Sequence, residues 1–137
     1  MLVCEDPRTD DGYVLKICDF GSSRQLSRDT KSVTSAGTVS WMAPEVIRNE
    51  HVTEKCDVWS FGVIAWELVT LEVPYAGMEP YSVLWRVAKF GMRLHIPAEC
   101  PHKLADLMGV CMAQDPAMRP SFEQIVRRLD ELGHDGA

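Results

Sequence analysis

The apolar positions of this chain fall into short runs near its start and into longer, helix-spaced blocks after residue 50. Residues 2–4 and 13–18 are aliphatic runs on either side of the turn-forming "EDPRTDDG", a pattern that predicts two short strands joined as a hairpin, the second of them buried. Residues 22–38, "SSRQLSRDTKSVTSAGT", are rich in Ser and Thr and nearly devoid of large apolar groups, the composition of a long surface loop. Beyond it, "TEKCDVWSFGVIAWELVT" is apolar at most of positions 58–69, on every face of a helical wheel. That predicts a buried helix over about 54–70, with Thr53 as its N-cap, acting as the central pillar of the fold.

After the turn "EVPYAGMEP", Val83, Leu84, Val87 and Ala88 recur at helical spacing and the run stops at Gly91, which predicts an amphipathic helix with a glycine C-cap. Two further helices are expected over about 102–113 and 122–132. The second opens with Ser121 as N-cap and Gln124 three positions on, a capping box. Residues 133–137, "GHDGA", read as a frayed tail, and the fold class is mainly α with a short β-hairpin at the N-terminus.

Composition narrows the function. The 137 residues, 46% hydrophobic and 25% charged, suit one domain with its own core. A formal charge of −6 argues against nucleic acid and against an anionic membrane as the main partner, because both select for clustered Lys and Arg. The five cysteines, at positions 4, 18, 56, 100 and 111, are scattered and form no CxxC pair, so neither a disulfide framework nor a zinc site is indicated and a reducing, cytoplasmic or nuclear setting is expected. No apolar run reaches the length of about 18 residues that spans a bilayer, and "MLVCEDPRTDD" lacks the features of a signal peptide. His51, His95, His102 and His134 share no ligand spacing and read as surface or loop residues. Trp59, Trp66 and Trp85 are expected to pack against the helices.

The stretch "LKICDFGSSRQ" sets Asp19 at the lip of the second strand, just before Phe20 and Gly21. Two readings fit the tripeptide itself: a turn aspartate bonded to its own backbone, or a carboxylate held rigidly toward a ligand. Its companions carry more information. "DFG" at 19–21, "GTVSWMAPE" at 37–45, "DVWSFGV" at 57–63 and "RPSF" at 119–122 together, in this order, resemble the second half of a eukaryotic protein kinase domain. The resemblance runs over about residues 2–132, and its flavour is similar to mixed-lineage-type kinases that act as MAP kinase kinase kinases. It implies a partial kinase domain over 1–132, a C-terminal lobe with an activation segment at 19–45.

That resemblance assigns roles residue by residue. Asp19 would be the catalytic magnesium ligand beside the ATP phosphates, Phe20 would pack inward, and Gly21 would give the turn its freedom. Cys18 would line the nucleotide pocket and Leu2 would lie under the adenine ring; plain strand packing is the alternative for both. Thr30, Ser32, Thr34 and Ser35 are candidate phosphosites, with Thr34 first, because a phosphate adds charge that arginines can use to order the segment. Thr38 would contact the catalytic aspartate and help to seat the substrate hydroxyl, and "GTVSW" favours Ser/Thr specificity. Trp41 would lie near the peptide-substrate groove. Glu45 would pair with Arg119, and Asp57 would accept backbone N–H bonds from the catalytic loop.

The glycine-rich loop, the strand lysine and the H-R-D-x-x-x-x-N loop of the kinase pattern do not occur in these residues. The N-terminal lobe is thus an expected partner in cis, the segment alone is expected not to transfer phosphate, and Met1 is read as an internal methionine. Two further readings remain beside the Ser/Thr kinase: a short non-catalytic product acting as a binding or decoy module, and a tyrosine kinase segment. The expected cofactors are ATP and Mg2+, the expected partner is a protein substrate that is itself a downstream kinase, and the expected location is the cytoplasm.

Overall fold

The computed structural model of the chain describes residues 2–9, 12–23 and 39–134. Strands β1 (Leu2–Glu5) and β2 (Tyr13–Lys16) pair antiparallel, with Leu2 opposite Lys16 and Glu5 opposite Tyr13. Five helices follow: α1 (Pro44–Ile47), α2 (Lys55–Thr70), α3 (Pro80–Phe90), α4 (His102–Cys111) and α5 (Phe122–His134). Short 3-10 turns lie at Phe20–Ser22, Val39–Trp41 and Pro116–Met118.

Helix α2 is the pillar that its composition predicts. It buries Val58, Trp59, Gly62, Val63 and Trp66, and the Trp66 indole N–H donates to the His95 carbonyl at 2.7 Å. On one side it packs against α4 through Met108 and Met112 and against α3 through Val83 and Val87. On another, Val58 meets Leu107, Cys111 and Ile125, which brings in α5. Gly62 sits where α2 and α4 approach most closely: a Cβ there would lie 2.9 Å from both Cys111 Cβ and Met112 Cγ.

The helix signals are read correctly at their ends. Gly91 adopts the left-handed conformation, φ 65°, as the C-cap of α3. At α5 the Ser121 backbone N–H donates to Gln124 Oε1 at 2.8 Å, and the Gln124 N–H donates to Ser121 Oγ at 3.2 Å, a complete capping box. Helix α2 starts one residue later than expected: Glu54 holds the cap position in a helical conformation, while Thr53 Oγ still accepts the Lys55 N–H at 3.3 Å. Helix α4 ends at Cys111, and α5 continues through Gly133 to His134, so the first two residues of the expected frayed tail are helical.

Four expectations about burial are corrected. The second strand is short and exposed, with Leu15 at 60% and Ile17 at 77% of full accessibility, because neither strand packs extensively on a helix among the described residues. Phe20 does not pack inward; it is 68% exposed on a turn beside that open hairpin. Trp85 does not pack into the core: the inward face of α3 is taken by Val83 and Val87, and Trp85 stands outside, edge-on to Phe90. Helix α2 is apolar all round yet not buried all round, since Leu68 and the capping Leu71 stand in solvent beyond the reach of α4.

One ion pair ties these elements together. Glu45, in the first turn of α1, and Arg119, after the turn that follows α4, are each only 2% exposed. The guanidinium meets the carboxylate as a fork, Nη1 to Oε1 at 2.6 Å and Nη2 to Oε2 at 2.8 Å. Arg119 also donates to the Lys55 carbonyl from Nη1 (2.8 Å) and to the Ala113 carbonyl from Nε (2.9 Å), while Lys55 Nζ donates back to the Arg119 carbonyl at 2.7 Å. The guanidinium carbon lies 5.2 Å from the centre of the Trp59 ring. Desolvating a guanidinium costs several kcal/mol, so it is retained here only because nearly all its donors are used.

Two stability predictions follow from these contacts. Gly62→Ala forces α2 from α4 and should lower unfolding stability by about 1–3 kcal/mol, read as a lower urea midpoint; an unchanged midpoint would contradict the close approach. Arg119→Ala leaves Glu45 charged and buried and should cost about 3–5 kcal/mol. Arg119→Lys keeps the charge yet cannot reach all the acceptors, and it too should unfold at lower urea than the parent.

Candidate functional site

Asp19 follows the exposed end of β2, three residues beyond Lys16. Because Lys16 pairs with Leu2, residues Leu2, Cys18 and Asp19 are gathered at one end of the hairpin. Cys18 is half-buried and Leu2 exposed, so neither is spent on a core. Asp19 itself adopts a left-handed conformation, φ 64° and ψ 73°, which residues other than glycine adopt only occasionally, Asp and Asn most readily. Its Oδ1 accepts the Gly21 N–H at 3.4 Å, a long bond, and caps the turn Phe20–Ser22. A Cβ on Gly21 would come within 3.3 Å of that same oxygen. A side chain at position 21 would thus push that oxygen aside by a few tenths of an ångström, and glycine leaves it in place.

The two readings of Asp19 prove compatible. It is a turn aspartate, and its carboxylate remains exposed to solvent with one weak internal bond among the described residues. Such an oxygen donor fits a hard cation of the Mg2+ class, which takes one or two carboxylates and completes its shell with water and phosphate oxygens. Among the described residues no cluster of three or more His, Cys, Asp or Glu could hold a metal alone.

Thr30, Ser32, Thr34, Ser35 and Thr38 lie outside the described residues. The chain is again described from Val39, and there it is firmly held. The Trp41 indole N–H donates to Glu67 Oε2 at 2.8 Å. Ser60 Oγ donates to the Trp41 carbonyl at 2.8 Å, and Ser40 Oγ donates to the Pro74 carbonyl at 3.3 Å. Trp41 and Val39 also rest against the core built around Trp59. This seat was missed in the sequence, although a signal existed: Glu67 is a carboxylate within the apolar run over 58–69.

Asp57, in the first turn of α2, is exposed, and its nearest described partner is the Cys56 thiol at 3.8 Å. Burial, aided by the charges of Asp57 and Glu45, pushes the Cys56 thiol up to about 12, so it stays protonated and unreactive. Cys111 is likewise pushed up to about 11 by burial. Arg93 lies over the same indole as Arg119, 4.7 Å from the Trp59 ring centre, and is steadied by Gln114 Oε1 at 2.8 Å; burial draws its pKa down.

Comparison with known proteins covers the same ground. The family model for protein tyrosine and serine/threonine kinases matches residues 4–129. The chain is 48% identical over 122 residues to mitogen-activated protein kinase kinase kinase 12 of Rattus norvegicus, which covers 89% of this chain and 14% of that protein. It is 47% identical over 121 residues to mitogen-activated protein kinase kinase kinase 13 of Homo sapiens (88% and 12%). It is 48% identical over 118 residues to mitogen-activated protein kinase kinase kinase 11 of Homo sapiens (86% and 14%). The chain thus spans about one-eighth of the length of the relatives it matches. A match running from the hairpin that presents Asp19 to the helix beyond Arg119 takes in every element described above, and this chain belongs to the protein tyrosine and serine/threonine kinase family.

Proposed function

We propose that this segment is the C-terminal lobe of an ATP-dependent protein serine/threonine kinase of the MAP kinase kinase kinase type, which transfers the γ-phosphate of ATP to a hydroxyl of a protein substrate that is itself a kinase. The observation that carries the reading is Asp19, an exposed carboxylate that caps its own turn at the end of the hairpin, with a glycine two positions on that leaves it room. The names of the relatives support the subtype.

A bound Mg2+ neutralises phosphate charge as it develops during transfer, and Asp19 is the residue of this chain that would hold it. Leu2 and Cys18 provide an apolar edge for a purine beside that carboxylate. Trp41, seated by Glu67 and Ser60, fixes the backbone just after Thr38, whose hydroxyl then helps to orient the acceptor. Nothing in these 137 residues supplies the general base or the phosphate-positioning lysine, so the segment by itself transfers no phosphate. A reducing, cytoplasmic location agrees with five cysteines that form no disulfide.

In the full-length kinase, Asp19→Asn should reduce magnesium-dependent phosphate transfer by about 10²- to 10³-fold while leaving the melting temperature unchanged. Transfer at the parent rate would overturn the assignment. Thr34→Ala should abolish activation that depends on phosphorylation of the segment; if the rate is unaffected, the regulatory hydroxyl is Thr30, Ser32 or Ser35 instead.

A further inference from the structure

Helix α3 carries two apolar stripes. Val83 and Val87 face inward and are buried, which fixes the helix on the core. The second stripe, Tyr81, Leu84, Trp85, Ala88 and Lys89, follows the i, i+3, i+4, i+7, i+8 spacing of a single helix face and points away from it. Together with Ile47 and Arg48 at the end of α1, it lines an open groove of about 380 Å³. Tyr81 is 86% exposed and Trp85 58% exposed, so the groove holds large aromatic surface in water.

We infer that this groove is a docking site for an acidic amphipathic helix of a protein partner. Three observations carry it. Trp, Tyr and Arg are the side chains that most often anchor protein interfaces, and here they share one groove. The groove is preformed: Arg48 Nη1 donates to the Ala88 carbonyl at 3.0 Å, bracing α1 against α3, and Gly91 ends α3 cleanly. Its charge is the reverse of the chain's. No carboxylate lines it, whereas Arg48 and Lys89 do, in a protein whose formal charge is −6. Glu50 engages Arg48 Nε at 2.8 Å from outside the groove, which leaves Lys89 as the principal unanswered charge of the groove among the described residues. A helix that sets an apolar face between Trp85 and Ile47, with carboxylates along the edge next to Lys89, satisfies both features. This partner is bound by a surface separate from Asp19, so the inference does not depend on phosphate transfer.

The test uses the full-length protein without nucleotide. Two fluorescein-labelled synthetic helices share one Leu- and Trp-rich face; one carries Glu along its flanks and the other Lys, and binding is read by anisotropy near physiological salt. The Glu helix should bind and the Lys helix should not. Trp85→Ala should weaken the Glu helix by about tenfold or more, and Tyr81→Ser, at a still more exposed position, supplies a second variant certain to be judged on folded protein by thermal melting. Lys89→Glu should weaken the Glu helix about threefold and raise binding of the Lys helix. Failure of the Glu helix to bind, equal binding of the two helices, or parent-level binding to both aromatic variants would overturn the inference. So would a concentration-dependent dimer that Trp85→Ala abolishes and the Glu helix does not displace, which would make the occupant a second copy of the chain.

Discussion

The buried fork between Glu45 and Arg119 is the constraint on which the rest of the structure depends. It joins residues that are 74 apart in sequence, and through the Lys55 and Ala113 carbonyls it reaches the start of α2 and the end of the α4 region as well. A carboxylate and a guanidinium gain little over an apolar pair of the same volume, but once both are buried neither can lose the other. Position and angle are therefore dictated for four pieces of chain at once, more tightly than packing of Leu and Val would dictate them. Trp59 is placed by the same demand. Its ring is approached by the guanidinium groups of both Arg93 and Arg119, while its N–H has no hydrogen-bond partner among the described residues. The indole is there for its faces.

How much of this was legible in the sequence follows from the range of the interactions. Caps and turns are local, so Ser121 with Gln124 and the glycine at 91 could be read directly, and both stand in the structure. Burial is not local. Periodicity says that a side chain is apolar but not what lies over it, and Phe20, Ile17, Trp85 and Leu68 are apolar residues that the described parts of the fold leave uncovered. The pairing of Glu45 with Arg119 was legible only through resemblance, since no spacing rule connects residues so distant. The Trp41–Glu67 bond was legible only in half: a carboxylate within the apolar run of α2 asks for a donor, but no spacing rule names Trp41 as that donor.

The site shows the same division. Asp19 could be singled out because its surroundings are written in adjacent residues: the strand before it, and the glycine two positions on that leaves its carboxylate room. What the carboxylate would act on, and where the phosphorylatable hydroxyls of the following segment sit, depend on contacts that a tripeptide does not encode.

The described ends of that segment are held very differently, and this matters for any charge added between them. At Trp41 two hydrogen bonds of 2.8 Å to residues of α2 and contact with the core fix the backbone. At Asp19 the turn rests on a bond of 3.4 Å within a tripeptide, next to a hairpin that is mostly exposed and does not pack extensively on the helices among the described residues. Local stability follows buried contact, so rearrangement costs least at the Asp19 end. A phosphate between them, adding roughly −1.5 to −2 charges, would therefore meet one end that is anchored and one that is free to respond. With one end held against the core and the other by a long local bond, a charge added between them would act more easily on the conformation at Asp19 than on that at Trp41.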